Sequence, residues 1–345
     1  MKCADAAWTA VGCPSNHWEQ VVSNLTCAEP LRVRTMINVG ANKGYRLLSF
    51  LQHFLPSAPP VGNWHALILA FANTVVRSNG NVGSGNLKWY ACGHCGDCKQ
   101  TSAAFVCSRH VQVHAFELTR ENRHLLRTLV KETKVPVHVW NLASSNASGQ
   151  VVMPKRPELY GMETFSLPLN QVPSRHKLVR DAEVVEVVTV DRFVESRGLS
   201  TVDHLAIDAE GWDALVVEGA RHMLLQKRIR VLSFEYHDLG FWRREVPDHR
   251  TLRGLLDWLY EFGYPCFGEG QTSLFPISGE CWRDSYEMRR WSNVVCSHEP
   301  NVLEALEGLA RRARGQLAQE TRRVVHGGHK NLSFFNTRVP TPPAV

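Results

Sequence analysis

A β-prone run from Thr35 to Val39 leads into Gly40-Ala41-Asn42-Lys43-Gly44, after which Tyr45, Leu47, Leu48, Leu51, Phe54 and Leu55 recur at helical spacing. The pattern predicts a strand, a glycine loop and a helix. Pro56, Pro59, Pro60 and a Gly/Asn/Ser-rich stretch from Ser78 to Asn86 then break the alternation until Val111, so residues 57–110 are expected as an insertion. The rhythm resumes with a strand over 111–116, a helix through Leu125, Leu126 and Leu129, and a strand over 135–140. Val151 to Met153 and the alternating Glu183 to Val190 suit an added antiparallel hairpin or a cap over a pocket. Next come a strand over 202–207, a helix over 212–225, a strand over 229–234, a helix through Leu252 to Phe262, and closing strands near 264–267, 272–275 and 293–296. Alternating β and α units of this kind predict an α/β fold with a doubly wound, mostly parallel sheet.

Residues 1–34 carry three cysteines and two tryptophans without a clear period and read as an N-terminal extension. The segment 298–345 reads as a basic helix followed by a disordered Pro-rich tail. Length and composition, 345 residues with 44% apolar content, allow one large domain with decorations. No apolar run is long enough to span a bilayer. The formal charge of +6 is concentrated after Asn301, where seven Arg and Lys face three Glu. That leaves the main domain nearly neutral and disfavours a nucleic-acid partner. A cytoplasmic location is the first expectation. The sequons at Asn24, Asn146 and Asn331, with ten cysteines, keep a lumenal or secreted setting open.

Chemistry concentrates at the predicted strand ends. Gly40 and Gly44 let backbone N–H groups approach a polar ligand at a helix N-terminus. Their Gly-x-x-x-Gly spacing matches neither a dinucleotide fingerprint nor a P-loop. Glu117, at the tip of the second strand, is placed to accept hydrogen bonds from ribose hydroxyls. In Asp208-Ala209-Glu210-Gly211 a strand delivers two carboxylates to the edge where open α/β sheets bind ligands. Asp208 and Glu210 are the catalytic candidates, as base or as ligands of a divalent metal. Glu235 and His237 end the following strand at the same edge, and Trp242, Trp282, Tyr286 and Trp291 lie in segments expected on the substrate side, with core and edge packing the first reading and stacking on an acceptor the alternative.

Six ordered blocks carry a resemblance. They are Ile37 to Gly44, His114 to Glu117, Asn141 to Ser144, Thr189 to Phe193, Ile207 to Gly211 and Glu218 to Ala220. Together they resemble the FkbM family of methyltransferases across residues 35–297. The resemblance implies a class I, Rossmann-like methyltransferase fold with a seven-stranded sheet. It further implies S-adenosylmethionine as donor and transfer to an oxygen of a small-molecule or glycan acceptor. In that reading Gly40, Asn42 and Gly44 lie along the methionine part, Glu117 holds the ribose, and Asn141 and Ala143 border the adenine. Two positions depart: Asn38 replaces an acidic residue common in the family, and Ala206 stands where the family commonly has Lys. A catalytically inactive binding module for protein or RNA is the alternative that these departures raise.

Inside the insertion, Cys92, Cys95, Cys98 and Cys107 fall within sixteen residues, with Gly93 and Gly96 permitting tight turns. A structural zinc knuckle is the leading reading, and disulfides are the alternative in an oxidising compartment. Oligomeric state has no signature in the sequence.

Overall fold

A computed structural model describes residues 17–29, 32–79, 99, 102–154, 182–245, 248–270 and 273–311, together with Cys3 and Trp8. Helix α1 (His17–Cys27) precedes β1 (Arg34–Val39), α2 (Tyr45–Phe54) and α3 (Val61–Asn79). Strand β2 (Val111–Phe116), α4 (Arg120–Thr133) and β3 (Val137–Trp140) follow. A smaller unit is built from β4 (Leu142–Ser144), β5 (Gly149–Pro154) and β6 (Ala182–Val188). Next are α5 (Val190–Ser196), β7 (Val202–Ile207), α6 (Asp213–Glu218), α7 (Arg221–Leu225) and β8 (Ile229–Tyr236). The described chain closes with α8 (Leu252–Glu261), β9 (Cys266–Glu269), β10 (Leu274–Pro276), β11 (Ser292–Ser297) and a helix over residues 300–311.

Among the described residues the main sheet has eight strands in the order β10-β9-β11-β8-β7-β1-β2-β3. This corrects the expected count of seven: β10 pairs antiparallel outside β9 as an extra edge strand. The centre from β8 to β3 is parallel, and β11 runs antiparallel to both β8 and β9. Parallel strands are covered on both faces, so they read as near-continuous apolar runs. In β1, Ile37 and Val39 enter one core with α5, α6 and α8, while Met36 enters the other with α2, α3 and α4. The alternating segments seen in sequence form a separate three-stranded sheet, β4-β6-β5.

One further expectation changes in space. The helix predicted over 212–225 is divided at Gly219 and Ala220. Asp191 accepts hydrogen bonds from the N–H groups of His222 and Met223, at 2.8 and 3.0 Å, and so starts α7 as a new helix. The first part of the segment expected as an insertion is α3, whose Val61, Trp64 and Ile68 are buried in the core beside α2. Cys92, Cys95 and Cys98 lie outside the described residues. Cys107 is bonded to Cys27, and this corrects its assignment as a zinc ligand, because a disulfide sulfur offers no thiolate. Cys3–Cys281 and Cys266–Cys296 complete the pairing of all six described cysteines. No described helix is long and apolar enough to cross a membrane.

The N-terminal extension packs on the sheet and closes over a charge. Trp18 is buried and its Nε1 donates to Oε1 of the fully buried Glu269 at 3.0 Å. Burial pushes the Glu269 carboxyl up to about 7; Glu19 adds to the rise, while Arg46 and the Trp18 hydrogen bond restrain it. The folded chain therefore keeps this proton to higher pH than the unfolded chain does. Its contribution to stability is full below the ordinary value of 4.5 and is lost as pH rises through about 7. Glu269→Gln, which retains an oxygen for Trp18, is expected to stabilise the protein more at pH ~8 than at pH ~5, by a difference of about 2–3 kcal/mol. Melting curves across pH check it; an unchanged difference between variant and parent at the two pH values would remove the assignment.

Candidate functional site

The C-terminal ends of β2, β1, β7 and β8 lie side by side, and the chain leaves β1 and β7 toward opposite sides of the sheet. Such a switch point is where open α/β sheets bind ligands. Here the glycine loop turns between two neighbours. The N–H groups of Gly40 and Ala41 both donate to the Phe116 carbonyl at 3.0 Å, and Asp208 N donates to the Val39 carbonyl at 2.9 Å. Gly40 and Asn42 have φ of +76° and +44°, so the loop curls back before Gly44 opens α2.

Glu117 sits at the tip of β2 with 5% of its surface exposed. Its two carboxylate oxygens accept from Asn42 N and Thr119 N, each at 2.8 Å. Burial raises its pKa, and these backbone donors oppose the rise. The sequence candidates Gly40, Asn42, Gly44 and Glu117 are thus brought together. Asn141 lies next to them, since Glu117 N donates to the Trp140 carbonyl at 3.2 Å. Asn141 Nδ2 donates to Glu183 at 3.0 Å, which also pairs with Arg123, while Asn141 Oδ1 is buried without a hydrogen-bond partner. Ala143 belongs to the second sheet, where it packs with Met153 and Val185.

On the other side of the switch point, the turn after β7 carries Asp208 and Glu210. Glu210 has φ +51° and Gly211 φ +93°. A side chain at Gly211 would meet the Leu239 carbonyl at 2.5 Å, so glycine is required for this turn to pass the end of β8. Asp213, the first residue of α6, is fully buried and fixes the turn. Its Oδ1 accepts from Ala209 N at 3.2 Å and Glu235 N at 3.3 Å, and its Oδ2 accepts from Gly211 N at 3.1 Å. Sequence reasoning passed over this residue, although an acid at the start of a helix after Asp-x-Glu-Gly was a usable signal.

Four ionisable groups crowd the end of this edge. The Asp208 pKa is raised well above the carboxylate range by its surroundings of protein atoms, and then by Glu235 and Asp213. Asp208 keeps solvent-exposed surface, so the packing of three carboxylates is the sturdier cause, with a hydrogen bond to Glu235 adding to it. Burial raises Asp213 and lowers His237, and the two act on each other in the opposite sense. His237 Nε2 lies 2.9 Å from Glu235 Oε2, and Trp291 Nε1 donates to Glu235 Oε1. Trp291 therefore belongs to the site. Trp242 and Tyr286 are core residues, with Trp282 packed on Tyr286.

The two departures noted in the sequence turn out to be neighbours. Asn38 and Ala206 are in register on adjacent parallel strands, so their side chains share one face of the sheet. An acid and a lysine at these positions would form a cross-strand pair. Both are absent here, and Arg46 donates to Ser233, the register neighbour of Ala206 on β8.

The arrangement offers a glycine loop with a buried acid on one side and a cluster of ionisable groups on the other. No curated protein and no solved structure matches the chain. One family model does, the Methyltransferase FkbM domain, over residues 93–266. The match begins beyond the glycine loop and takes in Glu117, the Asp208 turn and β8. Covering half of the chain and joining the acid of β2 to the carboxylates of β7 and β8, it shows that this chain belongs to the FkbM methyltransferase family.

Proposed function

We propose that the protein transfers a methyl group from S-adenosylmethionine to a hydroxyl oxygen of a small-molecule or glycan acceptor. The observation that carries this reading is the junction of Glu117 with the Asn42 amide at the end of β2, with only β1 between β2 and the strand that ends at Asp208. S-adenosylmethionine supplies, when bound, an electrophilic methyl on a cationic sulfonium. The residues present fit it. Gly40, Asn42 and Gly44, all at positive φ, shape the loop along which its amino-acid part would lie, and the Glu117 oxygens retain lone pairs for the ribose hydroxyls. The buried, unpartnered Asn141 Oδ1 suits the adenine amine, with Ala143 nearby in the chain. Asp208, on the strand next to the glycine loop, receives the acceptor's proton, while the Asp213-fixed turn holds it in place.

The full set of disulfides among the described cysteines supports an oxidising compartment over the cytoplasm. Asn146 is consistent with this, as its sequon lies in an exposed turn between β4 and β5.

The test is calorimetry with S-adenosylmethionine followed by transfer of a labelled methyl into extracts and identification of the product. Asp208→Asn is expected to retain donor binding and to slow transfer by about 100-fold. No donor binding by the parent protein would overturn the reading, and an unchanged rate in Asp208→Asn would remove Asp208 as base.

A further inference from the structure

We propose that Glu210, Glu235 and His237 form a divalent-cation site at the acceptor side of the cleft. The inference rests on the reading of the cleft as a methyl-transfer site and adds to it a metal that holds the acceptor's oxygen.

One oxygen of Glu210, one of Glu235 and a ring nitrogen of His237 all lie within 4.8 Å of one another. Two ligand bonds of about 2.0–2.2 Å to a shared ion span nearly that distance, so a small closure brings all three into contact with one ion. The groups come from two separate strand ends. Residues 235 and 237 alternate to the same side of β8 and its extension, and the turn after β7 swings Glu210 toward them.

A cluster of acids alone would not make a site; the histidine supplies the independent observation. His237 is only 6% exposed, and its Nε2 lies 2.9 Å from Glu235 Oε2 without an aligned hydrogen bond, so both ligand atoms are buried and turned toward the same point. An imidazole nitrogen held against a carboxylate oxygen without an aligned hydrogen bond is the pairing that a cation bound between them would satisfy. Supporting contacts are also in place. Trp291 holds the other oxygen of Glu235, and Asp213 accepts from the Glu235 amide, which fixes the carboxylate's direction.

The donor set selects the ion. Two carboxylates and one imidazole favour a first-row ion such as Mn²⁺ over Ca²⁺, which takes oxygen ligands alone. Three protein ligands leave coordination positions for oxygens of the acceptor. Glu210 is partly exposed, so those positions open toward the cleft.

The full chain, freed of metal with a chelator, is titrated with Mn²⁺ while free ion is followed by electron paramagnetic resonance. Mn²⁺ is the probe because thiols prefer softer ions, which keeps the cysteine-rich tract silent. One ion per chain is expected, with affinity lowered at least about tenfold in His237→Gln and in Glu210→Gln. Glu210 lies on a partly exposed turn, so its variant tests the site even if His237→Gln misfolds. Failure to bind Mn²⁺, or equal affinity in a folded variant and the parent, overturns the site. Donor calorimetry on the same samples separates the two readings: a chain that binds S-adenosylmethionine but no Mn²⁺ loses only the cation, and one that binds neither loses both.

Discussion

Gly40→Ala is expected to lower stability by about 3 kcal/mol or more and to reduce methyl transfer at least 100-fold. Gly40 holds φ +76°, where a side chain costs about 1–2 kcal/mol by itself. The larger effect is steric, because a Cβ built there would lie 1.7 Å from the Asp208 carbonyl oxygen. That oxygen belongs to backbone at the end of β7, so no side chain can swing aside. The two strand ends must part, and the hydrogen bond from Asp208 N to Val39 O weakens with them. Relief of the clash moves the glycine loop and the Asp208 carboxylate at once. Urea denaturation measures the stability loss, and calorimetry measures donor affinity. An alanine variant with the parent's affinity would show that the loop is not the donor cradle.

Asp213→Ala is expected to cost about 3–5 kcal/mol, more than any other carboxylate of the site. The alanine leaves the amides of Ala209, Gly211 and Glu235 without their acceptor. Each buried amide so abandoned costs about 1–3 kcal/mol. The turn that carries Asp208 and Glu210 then loses its fixed shape, so transfer falls by at least about 100-fold even at temperatures where the variant stays folded. Asp213→Asn keeps one acceptor oxygen and is expected to lose about half as much. Thermal melts of the pair, read beside donor affinity, separate loss of the turn from loss of charge. Equal melting of Asp213→Ala and the parent would disprove the bracing role.

What could be read from sequence follows a physical line. The parallel strands declared themselves as apolar runs because both their faces are buried, and the glycine loop stood out between β1 and α2. Glu117 was legible as an acid at the tip of a buried strand, where a bland surface role fits poorly. Features set by distant partners were not legible. Cys107 looked like a metal ligand beside three nearby cysteines, while its partner Cys27 lies on α1. The break between α6 and α7 depends on the Asp191 carboxylate arriving from α5. Asp213 was passed over because its importance lies in three amides, one of which comes from β8. Sequence periodicity reports which face a residue occupies, and it does not report who meets it there.

The register of Asn38 against Ala206 bears on how such a pair can change over evolutionary time. Asn38 is 2% exposed and Ala206 3%, so a lysine or an acid introduced at either position alone would bury a charge. The two positions are therefore coupled: a charge at one is expected to be tolerated best with the opposite charge at the other, so the double exchange should cost less than the sum of the single ones.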